Sequence, residues 1–112
     1  MNTQKDVLTK MLKGMLDMII LKMLQEKPMH GYGFISTIRK RFGVYFGPST
    51  IYPLLNAMEK KGYVESEWNF SPMNRPQKVY KITSQGKVFL EENERGLKII
   101  VQPLLVTSVR SA

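Results

Sequence analysis

The stretch Gly47–Ile82, GPSTIYPLLNAMEKKGYVESEWNFSPMNRPQKVYKI, decides how this chain is read. Ile51, Leu54, Leu55 and Met58 recur at three- and four-residue steps, which puts them on one face of a short helix. Ser49, Pro53, Asn56 and Lys60 fall on the opposite face, with Tyr52 on the flank. Pro48 suits a first helical position, and Ser49 suits the cap of a slightly later start. Pro53 deletes a backbone hydrogen bond, so the spacing predicts a short, locally bent helix that Gly62 ends. Tyr63 to Phe70 then alternates as a strand, with Val64, Ser66, Trp68 and Phe70 on one side. Ser71 to Pro76 carries turn chemistry, and Gln77 to Ile82 reads as the return strand of a hairpin.

A helix followed by a hairpin with basic residues at its turn is the equipment of a winged helix-turn-helix. A major groove about 12 Å wide admits one helix. Asparagine at an exposed mid-helix position pairs bidentately with adenine, which makes Asn56 the candidate base reader. Ser49 and Thr50 suit phosphate or base contacts, and Tyr52, Lys60 and Lys61 suit phosphates. Arg75 on the hairpin suits a narrow minor groove, and Lys78 beside it suits the backbone. His30, the only histidine, stands near a helix start with no metal-ligand partner at the right spacing. A capping role is its default, and the free N–H groups there also admit a phosphate. Tyr32, two residues on, joins the candidate DNA-binding set.

The rest of the 112 residues frames that segment. Residues 6–26 read as one helix with a wide apolar stripe, more than one neighbour need cover, and Lys27-Pro28 stops it. A second helix opens at His30-Gly31-Tyr32-Gly33, buries Phe34, Ile35, Ile38 and Phe42, and closes at Gly43. Thr83-Ser84 starts a long last helix that Gly96 and Pro103 weaken. The predicted order is α-α-α-β-β-α, mainly α with a small β-hairpin. It divides into a winged helix-turn-helix unit over 1–83 and a dimerisation helix over 84–112. Leu12, Met15 and Ile19 of the first helix, with Phe89, Leu97, Ile100, Val101 and Leu104 of the last, are the candidate dimer contacts.

Composition narrows the partners. Seventeen Lys and Arg against nine Asp and Glu give a charge of +8, which favours a polyanion, either nucleic acid or an anionic membrane surface. The absence of cysteine excludes disulfides and thiolate metal sites and fits a cytoplasmic location. No apolar run approaches the roughly 20 residues a bilayer span needs. The N-terminal MNTQKD lacks a signal-peptide core. Glu91, Glu92 and Glu94, beside Lys87, Arg95 and Lys98, read as a solvated helix face and not as catalytic carboxylates. No nucleophile–base pair and no glycine-rich phosphate loop is found, so an enzyme is not expected, nor a cofactor or metal.

Three runs carry a family resemblance: LKGMLDMIILKMLQEKPMHGYGF, FGVYFGPSTIYPLLNAMEKKGYVES and RPQKVYKITSQGK. Over roughly residues 12–92 the chain closely resembles the PadR family of transcriptional regulators, and Pro53 sits at that family's own proline. The resemblance implies a winged helix-turn-helix that dimerises through its C-terminal helix with help from the first. It further implies a palindromic double-stranded operator, usually repression, and a small-molecule effector at or near the dimer interface. The short C-terminal segment is similar to the family's smaller subgroup. It carries no aromatic residue after Phe89, so a stacking effector pocket is not expected. Two other classes stay open on the residues alone. One is non-specific architectural DNA binding, and the other is a basic module for membranes or proteins.

Overall fold

The computed structural model describes residues 2–71 and 74–110. The element order is α1 (Thr3–Lys13), α2 (Leu16–Glu26), β1 (Met29–His30), α3 (Gly31–Phe42), α4 (Pro48–Lys60), β2 (Val64–Ser71), β3 (Asn74–Ile82) and α5 (Ser84–Arg110). This is a mainly helical winged helix-turn-helix with a small three-stranded antiparallel sheet of order β1-β3-β2.

The single helix expected over residues 6–26 is two helices. Asn2 caps α1 by accepting the Lys5 N–H at 3.2 Å, and α1 stops at Gly14. Glycine costs about 1 kcal/mol in a helix interior relative to alanine. Here the Met15 N–H turns back to the Leu12 carbonyl at 2.9 Å, and Asp17 accepts the Met18 N–H at 2.8 Å to start α2. The break lets α2 run through the centre of the core. Leu16, Ile20, Leu21, Met23 and Leu24 are all buried there. Pro28 then holds Lys27 extended (φ −168°, ψ 157°), and the chain continues into β1.

Strand β1 has no counterpart in the sequence reading, because two residues carry no alternation. Met29 pairs with Tyr80 and His30 with Val79, so β1 ties the start of α3 to the wing. His30 also caps α3, its Nδ1 accepting the Gly33 N–H at 3.3 Å. At the far end Gly43 takes φ 70° and returns its N–H to the Arg39 carbonyl at 2.9 Å. Val44 and Phe46 of the following loop are buried, while Tyr45 faces outward.

Helix α4 starts at Pro48, with Gly47 and not Ser49 as its cap. It runs 13 residues through Pro53. Ile51, Leu55 and Met58 pack into the core, and Pro53 lies on the exposed side. The helix closes in a Schellman motif. Gly62 (φ 82°) donates to the Glu59 carbonyl, and Tyr63 donates to Met58, each at 3.0 Å.

The hairpin is longer than the sequence predicts. Asn74, Arg75 and Pro76 belong to β3 and not to the turn, and the register slips between Asn69 and Ser71. That irregularity lies opposite the missing N–H of Pro76, and a bulge is where a strand tolerates proline. Thr83 then caps α5 by accepting the Gly86 N–H at 3.0 Å. Gly86 passes so close to the Tyr63 carbonyl that a side chain has no room. The Tyr63 and Phe89 rings stack at 4.1 Å, nearly parallel, and Lys22 pairs with Glu94 at 2.7 Å. These contacts dock the first part of α5. Beyond Leu97 the helix leaves the core, and Ile99, Ile100, Leu104 and Leu105 are exposed. None of the described helices is long and apolar enough to cross a membrane.

Candidate nucleic-acid interface

An open groove of about 500 Å³ runs between the exposed face of α4, the first residues of α3 and the inner face of the hairpin. It gathers His30, Tyr32, Tyr52, Asn56, Arg75 and Lys78, residues the sequence scatters over 49 positions. Ser49, Thr50, Lys60 and Lys61 lie outside it, at the two ends of α4. Ser49, Lys60 and Lys61 are exposed, and Thr50 is half-buried.

The floor of the groove is set by a glycine. A side chain on Gly31 would collide with the Tyr52 ring at 2.5 Å, so the glycine of His-Gly-Tyr lets Tyr52 lie against the start of α3. Tyr32 meets Tyr52 edge to face, with ring centroids 6.3 Å apart. Burial, and secondarily the neighbouring Tyr32, raises the Tyr52 pKa above its ordinary value. Both effects keep its phenol a neutral donor. Asn56 stands one turn further along the same helix and is exposed.

The wing supplies cations held in defined places. The Lys78 ammonium lies 5.8 Å from the centre of the Tyr80 ring and 3.7 Å from a Glu59 oxygen. The other Glu59 oxygen accepts the Ser66 hydroxyl at 2.7 Å. One carboxylate on α4 thus bonds to both strands of the hairpin. Burial first, then Glu59 and Tyr52, raises the Tyr80 pKa. Arg75 is exposed further out. A neutral donor face on a helix beside a cationic edge on a hairpin matches the grooves and phosphates of a duplex. The described residues contain no group of His, Asp and Glu that could hold a metal ion.

Three members of this region were given no contact role by the sequence reading. Glu59 was not singled out at all. Gln77 was placed in the wing run 74–78 and at the start of the return strand, with no contact role of its own. Trp68 shares its strand face with buried Val64, and only the overhang of the hairpin beyond the core leaves it exposed in the groove.

The candidate dimer residues divide into three groups. Leu12 is buried in the core of its own chain, and Phe89 is engaged with Tyr63, which leaves both little surface for a partner. Met15, Ile19 and Leu97 are half-buried. Met15 and Leu97, with Gly14, Gly96 and Ile100, line a shallow groove of about 210 Å³ between the α1–α2 break and α5. Ile100, Val101 and Leu104 are open to solvent, together with Leu105 of the same apolar run and Ile99, which the sequence reading did not select.

Known proteins share this arrangement. The family model described as the transcriptional regulator PadR-like family matches residues 20–92. The transcriptional regulator Rv3488 of Mycobacterium tuberculosis is 29% identical over 86 residues, covering 77% of this chain and 78% of its own. A PadR-like transcriptional regulator from Bacillus cereus superposes with a TM-score of 0.76 at 27% identity, over 92% of this chain and 98% of that one. Bacillus subtilis PadR, solved in complex with operator DNA, superposes with a TM-score of 0.63 at 25% identity, over 69% of this chain and 45% of that one. The matched residues take in α3, α4, the wing and the first turns of α5, and on that ground this chain belongs to the PadR-like family of transcriptional regulators, which are not enzymes.

Proposed function

We propose that the chain is a sequence-specific double-stranded DNA-binding repressor that acts as a homodimer on a palindromic operator. The observation that carries this reading is the convergence of Asn56, Tyr52 and Tyr32 with the wing cations Arg75 and Lys78 on one open groove. In this reading α4 enters the major groove. Asn56 reads a base, Ser49, Thr50 and Tyr52 contact the near strand, and Lys60, Lys61, Lys78 and His30 hold phosphates. Arg75 reaches the neighbouring minor groove. The operator complex of Bacillus subtilis PadR supports this use of the fold.

Residues 1–83 form the reading unit and residues 84–112 the dimerisation helix. The exposed aliphatic end of α5 supports the homodimer, because a monomer would leave Ile99, Ile100, Leu104 and Leu105 in water. Two α4 helices then address half-sites one helical turn, roughly 34 Å, apart. A small-molecule effector has room in the cavity of about 230 Å³ between α2, α3 and α5, where Met18, Met23, Phe42 and Leu97 meet the charged Lys22, Arg41 and Glu94. The protein works with the chromosome in the cytoplasm.

Selection of bound sites from random duplex DNA, with the mass of the protein in solution measured alongside, tests the proposal. An enriched palindrome and a dimer mass are expected. Equal binding to all duplexes would make it an architectural protein, and absence of DNA binding with flotation on anionic vesicles would make it a membrane module. Either result overturns the reading.

A further inference from the structure

The wing carries two large aromatic residues that neither the core nor the reading above employs. Trp68 is 57% exposed and Phe70 is 71% exposed, although both sit on the same strand face as buried Val64. Their rings lie 6.4 Å apart in a tilted pair. A solvated hairpin gains nothing from such a pair, since each ring left in water forgoes the free energy of burial. Small soluble domains seldom leave contiguous aromatic surface uncovered without a partner for it.

The surroundings define that partner. Trp68 lines the groove that also holds Asn56 and Arg75. Its cross-strand neighbour is Lys78, and Asn69 beside it pairs with Gln77. The apolar pair is therefore continuous with a cationic, hydrogen-bonding surface. A purely apolar partner would cover the exposed Arg75 guanidinium without supplying it a counter-charge. A small anion would leave the rings uncovered. The walls of a DNA minor groove offer both requirements at once, apolar deoxyribose faces between rows of phosphates, and apolar side chains are a known means of engaging that groove.

We infer that Trp68 and Phe70 form an apolar edge of the wing that packs against the deoxyribose wall of the minor groove flanking each half-site. This rests on the DNA-binding reading. The edge strengthens binding by removing ring surface from water, not by neutralising phosphate. It gains affinity without base hydrogen bonds, and its contribution is independent of salt.

Trp68 is the only tryptophan of the chain, so its fluorescence reports on this surface alone. The test titrates the full-length protein with a duplex carrying the selected site and follows acrylamide quenching of Trp68. Binding is monitored separately by the anisotropy of a labelled duplex. Quenching is expected to fall several-fold in the complex. Phe70→Ala is expected to weaken binding by about tenfold and to leave the slope of log affinity against log salt unchanged. Trp68 equally open to acrylamide in a complex that anisotropy shows to be formed would overturn the inference and leave the DNA-binding reading standing. So would Trp68 already shielded in the DNA-free dimer, which would assign the pair to a second copy of the chain. A Phe70→Ala variant with unchanged affinity would also overturn it. Absence of any anisotropy change with wild-type protein would instead remove the DNA-binding reading itself.

Discussion

The Glu59 carboxylate on α4 lies 3.7 Å from the Lys78 ammonium on β3 while its second oxygen holds the Ser66 hydroxyl on β2. Helix and wing are thereby joined through a single side chain, and a cation of the wing is partly neutralised by its own protein. The pair is about one-third exposed on both sides, so the bond itself contributes little, on the order of 0–1 kcal/mol. Its effect on charge is larger than its effect on stability.

Glu59→Gln keeps an acceptor for Ser66 and removes the charge. The variant is expected to unfold within about 1 kcal/mol of wild type. It is expected to bind duplex DNA more tightly at low salt, with a salt slope steeper by about 0.9 as Lys78 becomes free to displace one counterion. Anisotropy titrations across a salt series give both numbers. An unaltered slope would show that the Glu59 pair does not hold Lys78 back from the phosphates.

Asn56→Ala tests base reading. The side chain is exposed, so thermal stability is expected to stay close to wild type. Preference at one base pair is expected to relax by roughly 1–3 kcal/mol, while binding to random duplex stays the same. Repeating the site selection with the variant checks this, and an unchanged consensus would move the reading role elsewhere on α4.

Ile100→Asp combined with Leu104→Lys places charge on the exposed aliphatic end of α5. Neither residue supports the core, so near-native helix content is expected by circular dichroism. Sedimentation is expected to show the monomer mass. A dimer mass in the double variant would place the interface on another surface.

Gly86→Ala drives a methyl group into the Tyr63 carbonyl and against Ile82. Backbone has nowhere to give at this corner, so a loss of about 1–3 kcal/mol is expected. For a domain of this size each kcal/mol lowers Tm by roughly 4–8 °C. Calorimetry measures it directly.

The buried Tyr80 phenol makes stability sensitive to alkali. Burial, then Glu59 and Tyr52, raises its folded pKa above the ordinary value of 10.0. The folded state therefore holds the proton more tightly than the unfolded chain. The resulting stabilisation is complete below the ordinary tyrosine pKa and is lost as pH rises through the higher folded value. Urea unfolding of wild type and Tyr80→Phe is expected to show a difference that is constant near neutral pH and changes above about pH 10. Curves that stay parallel would show that the phenol is not perturbed.

Much of the fold was legible because its signals are local. The repeat of Ile51, Leu54, Leu55 and Met58 defines the buried face of α4 whatever lies beneath it. Gly43 and Gly62 adopt positive φ where the helix ends require it, and Thr83 caps α5 with a hydroxyl three residues from the N–H it accepts. The break at Gly14 was hidden by the apolar stripe, which continues across it. Strand β1 was hidden because two extended residues have no period. The groove residues were nameable one by one, but Glu59 and Trp68 were not, since both acquire their significance from the hairpin folding back over α4.

By itself the sequence determined the helix faces, the caps, the hairpin and the basic balance, because each depends on residues within a few positions of one another and on backbone geometry. The tertiary structure alone decided what those faces meet. Val64 and Trp68 share one strand face, yet one is sealed in the core and the other is open, because the hairpin carries Trp68 beyond the buried core. Leu12 and Ile100 are equally apolar, yet one is packed within its own chain and the other is left exposed, because α5 outruns the body that covers its first turns. Hydrophobicity is a property of the residue, whereas exposure depends on where its neighbours stop.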